Sequence, residues 1–394
     1  MKRALLPSLV LLPVLLACRT TPDYDAPLAE GAPALIPLGP GDEVPDFSRE
    51  WEAREEIRPA LENSLFWMRR PHARRFFPQA GISYERALAS LEHFQALLES
   101  TPGPTELQVA IERDFTIYRS AGWNGRGGGV RFTAYCTPIL PGRLERDETF
   151  RWPLYALPPD LVKDRDGTVL GWETALGRIE TYPSRGAIES GGLLENRELE
   201  LVWLANPLDA YIAHVNGSAF IALPDGSLFR LGYAGKNGRP YRSLGRELED
   251  DGKIPRGQAS LQSIRAWAAS APEEELFEYL HRNASFVFFT PIDGNPHGSL
   301  DVEVTAERSL ATDKTLFPRA ALVFVDASPP KGAKDPAEGF HRFLFDQDTG
   351  GAIRTAGRAD IYLGIGDEAV ERAGRVKAEG QLYYLFRKEG TPAP

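Results

Sequence analysis

The sequence is poor in the residues that would mark several common chemistries. It has two cysteines, Cys18 and Cys136, too few for a disulfide framework. Its six histidines are scattered without the close pairing that a zinc centre needs, so no metal is expected. Basic residues do not dominate: 45 Lys and Arg face 55 Asp and Glu, a net charge of −10. No basic stripe is present to neutralise phosphates, which argues against nucleic acid as a partner. Beyond the first 17 residues no apolar run is long enough to span a bilayer. The glycine-rich stretch Gly122 to Gly129 lacks the terminal Lys-Ser/Thr of a phosphate-binding loop and is expected to follow a helix. We find no internal repeat.

What remains is a chain of 394 residues, long enough for two domains. Its 37 glycines and 32 prolines favour many short elements and hence strands. Lys2 and Arg3 precede an apolar run from Ala4 to Ala17, interrupted by Pro7, Ser8 and Pro13, as in a signal peptide. The run ends Leu15-Leu16-Ala17-Cys18 and resembles a bacterial lipobox, which would make Cys18 a lipidated first residue. Arg19, not Asp, follows it, which by the lipoprotein sorting rule directs the chain to the outer membrane. Acyl chains anchor without a spanning helix. Residues 19–47 are rich in Pro, Ala, Gly and acids and read as a flexible tether.

Residues 48 to about 120 read as helical. Ala87, Leu91, Phe94 and Leu98 form one stripe, and Leu107, Ile111, Phe115 and Tyr118 another, opened by a Thr105/Gln108 capping box. Arg69, Arg70, Arg74 and Arg75 form a basic patch, expected to be ion-paired rather than a seat for acidic glycan groups. Val130 to Pro138 alternates as a strand, with Cys136 expected to be buried and inert. From 158 to 284 short strands and turns alternate, including Leu199–Trp203 and His214–Leu223. Two helices follow, one with the stripe Leu261, Ile264 and Trp267, the other capped by Ser270 and Glu273. Strands return at Ser285–Pro291, Ala320–Val325 and Gly380–Phe386.

The chemistry concentrates near the end. Phe343 and Phe345 precede a Gly350-Gly351 turn, and Ile361 and Leu363 follow it with period-2 alternation. On the second strand Asp360 and Tyr362 share the face opposite Ile361 and Leu363. If the apolar face is core, Asp360 looks into a cleft beside an aromatic ring. A carboxyl group so placed can hold its proton and act as a general acid. Asp348-Thr349-Gly350-Gly351 is equally a turn sequence in its own right.

Several stretches, in order, resemble the membrane-bound lytic murein transglycosylase A family, also called the three-aspartate group. Asp348-Thr349-Gly350-Gly351-Ala352-Ile353-Arg354 resembles its Asp-x-Gly-Gly-Ala-Ile-Lys element, and Asp360-Ile361-Tyr362-Leu363-Gly364-Ile365-Gly366 its Asp-Ile-Tyr-x-Gly-Ile-Gly. Phe132 to Pro138 is similar to Phe-Thr-Gly-Tyr-Tyr-Thr-Pro, departing at Ala134 and Cys136. Tyr233 to Gly245, Ser285 to Pro291 and Arg308 to Asp313 match further elements, while Asn216 stands where the family has Gln. The resemblance covers about Phe132 to Phe386.

It implies a mainly β fold with N-terminal helices: a double-psi β-barrel from 48–157 and 285–394, and an inserted smaller β domain, 158–284, forming the other wall of a groove. It implies cleavage of the MurNAc-GlcNAc β-1,4 bond of peptidoglycan strands to give 1,6-anhydromuramic ends, without a cofactor. Asp360 takes the acid/base role by motif match, and Asp348 and Asp313 are supporting. Tyr135, Thr137, Tyr233, Lys236, Asn237 and Tyr362 are the candidate substrate contacts. The location implied is the periplasmic face of the outer membrane, with the lipid at Cys18 as anchor. Two other readings stay open: a non-catalytic peptidoglycan-binding lipoprotein, and a hydrolytic glycosidase using Asp348 and Asp360 as a pair.

Overall fold

The computed structural model describes residues 21–164, 169–329 and 339–390. The lipobox and Cys18 lie outside the described residues. Among those described, no helix is long and apolar enough to cross a membrane.

The larger sheet has eight strands in the order Leu35–Pro37, Phe115–Ser120, Ala378–Arg387, Leu322–Ser328, Phe340–Asp348, Ser309–Ala311, Arg358–Ile365 and Val130–Thr137. Ala378–Arg387 also pairs with Val130–Thr137, so six of the strands return on themselves as a closed ring. Closure leaves no free edge among them. The double pairing is possible at Gly380, where a Cβ would stand only 2.1 Å from the Asp326 carbonyl oxygen. Phe132, Val323, Phe343, Phe345, Ile361 and Tyr384 are fully buried in the core of this body.

Helices Arg54–Met68 and Tyr84–Ser100 pack on the ring, and Pro104–Asp114 packs on the flanking strand Phe115–Ser120. The stripe Ala87, Leu91, Phe94 and Leu98 is buried as its spacing predicts, with Phe94 4.9 Å from Phe343 between ring centroids. The second stripe is shorter than expected. The helix stops at Asp114, and Phe115 and Tyr118 belong to the next strand, where β-branched Thr116 and Ile117 favour extension. Thr105 does not cap this helix: Pro104 takes its first turn and Gly103 precedes it. Gln108 instead accepts from Phe47 N at 2.7 Å and donates to Pro45 O at 3.1 Å. Arg69, Arg70 and Arg74 pair with Glu92, Asp301 and Glu85, so the basic patch is an ion-paired face.

The expected tether is not loose over its described part. Leu35–Pro37 pairs with Phe115–Ser120, Phe47 is fully buried, and Tyr24 is seated in the fold. Single side chains docking on a formed surface leave no periodic pattern, which is why the sequence reads as a linker.

The second sheet has six strands in the order Val287–Pro291, Leu228–Lys236, Ala219–Ala222, Ile139–Arg143, Glu200–Leu204 and Trp152–Tyr155, with a three-stranded sheet, Leu161–Lys163, Val169–Glu173 and Ile179–Glu180, beside it. Ile139–Arg143, Trp152–Tyr155 and Val287–Pro291 were expected with the barrel and belong here instead. Alternation identifies a strand but not its partner. His214–Leu223 is half helix: Pro207–Asn216 is helical and Gly217, at φ 71°, ends it before Ala219–Ala222 begins. Ser270 closes the helix Leu261–Ser270 rather than capping the following one, and the capping box is Ser260 with Ser263. No hairpin forms at Asn237-Gly238; helix Leu244–Asp250 follows, and Leu228–Lys236 pairs with Val287–Pro291.

Candidate active site

Four neighbouring strands of the ring carry the site. Ala311 is in register with Asp348 on one side and with Asp360 on the other, and Asp360 is in register with Thr133. Directly opposed residues share a face, so Asp348, Ala311, Asp360 and Thr133 make one cross-strand row. Two strand spacings separate the aspartate Cα atoms by roughly 10 Å. The methyl group of Ala311 leaves the space between the carboxyl groups open. In the next row Tyr362 opposes Tyr135, ring centroids 5.1 Å apart.

A bulge sets this geometry. Leu310 pairs with Asp346 but Ala311 pairs with Asp348, leaving Gln347 as the extra residue. A bulge re-aims the side chains beyond it. Asp346 therefore turns into the core, fully buried, while Asp348 reaches Tyr135 at the site. Period-2 reading would have placed both carboxylates on one face. Gln347 anchors the bulge to the helix Arg54–Met68, donating to Ala60 O at 2.6 Å and Ser64 Oγ at 2.9 Å.

The two site carboxyl groups have different surroundings. Asp348 accepts three bonds: from Tyr135 Oη at 2.7 Å, Ser299 N at 2.8 Å and Thr349 N at 2.8 Å. Burial raises its pKa, and these donors oppose the shift. Asp360 accepts from Thr133 Oγ1 alone among the described residues. Burial raises its pKa too, opposed by the charge of Arg358 and the Thr133 bond. Of the pair, Asp360 is the one with fewer donors to hold a carboxylate and the one suited to keep a proton. Replacing Tyr135 by Phe is expected to cost about 1.5–3 kcal/mol in denaturant unfolding, the usual worth of a bond to a charged group. Unchanged stability would mean that Asp348 does not depend on that donor.

Of the other candidate residues, Thr137 and Tyr362 are brought to the site but buried. The Thr137 hydroxyl lies 3.1 Å from Tyr362 Oη and 3.0 Å from Ser218 Oγ, a chain that fixes the tyrosine ring. Asn237 is withdrawn from any ligand. Its Nδ2 donates to Pro183 O and Ala284 O, and its Oδ1 accepts from Phe286 N, so it holds its own loop together. Asp313 is also enclosed, its Oδ1 accepting from Thr315 N at 3.0 Å and Thr315 Oγ1 at 2.7 Å to close a turn. Tyr233 is 50% exposed on the second sheet, and Lys236 on the same strand feels the charge of Arg354. Cys136 is buried, its thiol pushed up to about 12 by burial, which removes it as a nucleophile at neutral pH.

Thr133, Arg358 and Tyr241 are site residues that sequence reasoning did not single out. Arg358 and Thr133 follow from period and register: Arg358 is two positions before Asp360, and Thr133 is its partner. Tyr241 comes from the second body and stands close to Gly351, whose Cβ position is 3.4 Å from it. A cavity of about 550 Å³ lies beside this row, between the ring and the helices of the second body, lined by Thr133, Tyr135, Tyr211, Tyr241, Arg246 and Arg358; the two aspartates are not in its wall.

Comparison with known proteins fits this layout. The MltA specific insert domain matches residues 131–290, and the 3D domain matches residues 308–386. Membrane-bound lytic murein transglycosylase A of Escherichia coli K12 is 34% identical over 267 residues, 67% of each chain. The crystal structure of a membrane-bound lytic murein transglycosylase from Agrobacterium tumefaciens superposes with a TM-score of 0.74 at 29% identity, covering 88% of this chain and 97% of that one. The structure of E. coli MltA with bound chitohexaose gives a TM-score of 0.68 at 26% identity, covering 95% and 96%.

Proposed function

Since this chain belongs to the membrane-bound lytic murein transglycosylase A family and is a peptidoglycan lytic transglycosylase, we propose that Asp360 is its single acid/base and that its products end in 1,6-anhydromuramic acid. The observation that carries this reading is the asymmetry of the aspartate row. Among the described residues Asp360 has one donor and an unengaged oxygen, while both oxygens of Asp348 are occupied.

Asp360 gives its proton to the bridging oxygen as the bond from that oxygen to C1 of the muramyl ring breaks. The ring's own 6-hydroxyl closes on C1, and its proton returns to Asp360. No water is consumed and the carboxyl group ends as it began. An intramolecular nucleophile has a high effective concentration, so a second carboxylate is not required. A hydrolase would need Asp348 free to activate water or attack C1. Its three donors disfavour that role. The non-catalytic binding reading is disfavoured by the acid itself, held where a proton can be kept.

The chitohexaose in the E. coli relative is a β-1,4-linked amino-sugar chain, which supports a glycan strand lying between the two bodies here. Tyr135, Tyr233, Lys236 and Tyr241 are the side chains we place along it. The six-stranded ring supports the double-psi barrel reading, and the relatives' description as membrane-bound supports attachment to a membrane, which we place at Cys18 on the periplasmic face of the outer membrane.

Mass spectrometry of digested peptidoglycan tests the chemistry. Each muropeptide should lack one water relative to a hydrolase product. Hydrated ends would reinstate Asp348 as a partner, and binding without cleavage would leave the lipoprotein as a glycan receptor. The acid must be protonated, so the rate should fall as pH rises through the raised pKa of Asp360. A rate that rises through the acid range instead would contradict it.

A further inference from the structure

The N-terminal stretch reaches three arginines that line the cavity, Arg131, Arg246 and Arg358. Tyr24 is 5% exposed, its carbonyl accepts from Thr355 Oγ1 at 2.6 Å, and the Arg131 guanidinium lies 4.3 Å above its ring. This seating puts Asp25 between two guanidinium groups from different bodies. Its Oδ1 accepts from Arg358 Nη1 at 3.0 Å, and its Oδ2 from Arg246 Nη2 at 2.5 Å. Arg246 lies on the helix Leu244–Asp250, which packs on the helix Glu273–Arg282 of the second body. Arg358 opens the strand that carries Asp360.

The second arm of Arg358 continues the line. Its Nη2 donates to Thr133 Oγ1 at 3.2 Å. A threonine hydroxyl has one proton to give. With Arg358 donating into the oxygen, that proton goes to Asp360 Oδ1. Oδ1 is then an acceptor, and the transferable proton of the acid resides on Oδ2. No donor among the described residues reaches Oδ2, which lies 4.0 Å from where a Cβ on Gly350 would stand.

We propose that Asp25 is a positioning residue for the acid: by holding Arg358 it fixes, through Thr133, which oxygen of Asp360 carries the proton, and through Arg246 it ties the second wall of the groove to the same point. The inference rests on Asp360 as the acid. The charge matters as well as the geometry. The Arg358 side chain is only 15% exposed, and a guanidinium without its carboxylate turns its field on the next one. The next one is Asp360, which would then be held ionised. The other titratable groups facing Asp360 are Tyr135 on the neighbouring strand, Asp348 across Ala311, and Tyr241 from the second body. None of them is a cation.

The test is steady-state digestion of peptidoglycan by the full chain and by Asp25→Asn and Asp25→Glu, with pH profiles and thermal midpoints. Asp25→Asn should lower kcat about tenfold, part of the 10²–10⁴ that a general acid contributes. KM should rise as far as it does when Arg246 alone is released, and the basic limb of the profile should move to lower pH. Asp25→Glu should recover most of kcat. Arg246→Gln, which frees only the second wall, should raise KM and leave that limb in place. A kcat for Asp25→Asn within twofold of wild type overturns the proposal. So does a loss that tracks a lower thermal midpoint with the limb unmoved, because that is a merely structural role. Wild-type products without anhydro ends would instead overturn the reading on which it rests.

Discussion

Asp360→Asn is expected to abolish anhydro-muropeptide formation, with a loss of about 10²–10⁴ in kcat or more, the range that proton transfer by a placed group supplies. Asparagine keeps the shape and still accepts from Thr133 through its amide oxygen, so the ring and the row should persist. The sign of the accompanying stability change is fixed by the shift. Burial raises the pKa of Asp360 in the folded chain above its value in the unfolded one. The resulting penalty on folding is absent below about pH 4, where both states are protonated. It grows as pH rises to the folded pKa and is constant above it. Asp360→Asn should therefore match wild type in acid and be the more stable protein at neutral pH. Denaturation at two pH values, run beside the product assay, reads both effects. An inactive variant that is also less stable at neutral pH would point to a broken site rather than a missing proton donor.

The largest effect on stability is expected at a different aspartate. Asp346 is fully buried and contacts Lys314, itself buried, while Thr312 Oγ1 donates to it at 2.7 Å and Tyr384 Oη at 2.8 Å. Lys314 also donates to Thr312 Oγ1 at 3.0 Å. Removing one member of such a pair strands the other charge without solvent, and Asp346→Ala should cost about 3–5 kcal/mol. Lys314→Met with Asp346→Leu removes both charges, and the double variant should recover most of that loss. Urea unfolding of the single and double variants decides it. Equal destabilisation by both would mean that the hydroxyl partners, rather than the charge pair, carry the effect. The network also backs the active row, since Thr312 N donates to the Asp348 carbonyl at 3.2 Å and Thr349 Oγ1 to the Thr312 carbonyl at 2.9 Å.

The site was legible in the sequence wherever local alternation decided orientation. Asp360 and Tyr362 share a face because period 2 says so, and the strand keeps that period from Arg358 to Tyr362, before its register shifts. It was not legible where a bulge intervenes. Asp346 and Asp348 look equivalent on paper, and only the extra residue Gln347 sends one to the core and the other to the groove. Strand partners were equally hidden: Val287–Pro291 was expected in the ring but pairs with Leu228–Lys236 at the edge of the second sheet. Asn237 shows a third limit. A polar residue in a glycine-rich loop is as suited to three backbone contacts as to a sugar, and burial alone separates the two. The stripe Ala87, Leu91, Phe94 and Leu98 was read best, since its residues need only a neighbour of any kind.

The seating of Tyr24 has a consequence for reach. Six Cα steps separate Cys18 from Tyr24, and a chain spans at most about 3.6 Å per step, so about 20 Å of leash. An acyl anchor at Cys18 would therefore hold the Tyr24 end of the cavity within that radius of the bilayer. The body could pivot on this leash but not travel outward. It would graze the glycan strands lying nearest the membrane, leaving more distant layers to enzymes on longer tethers.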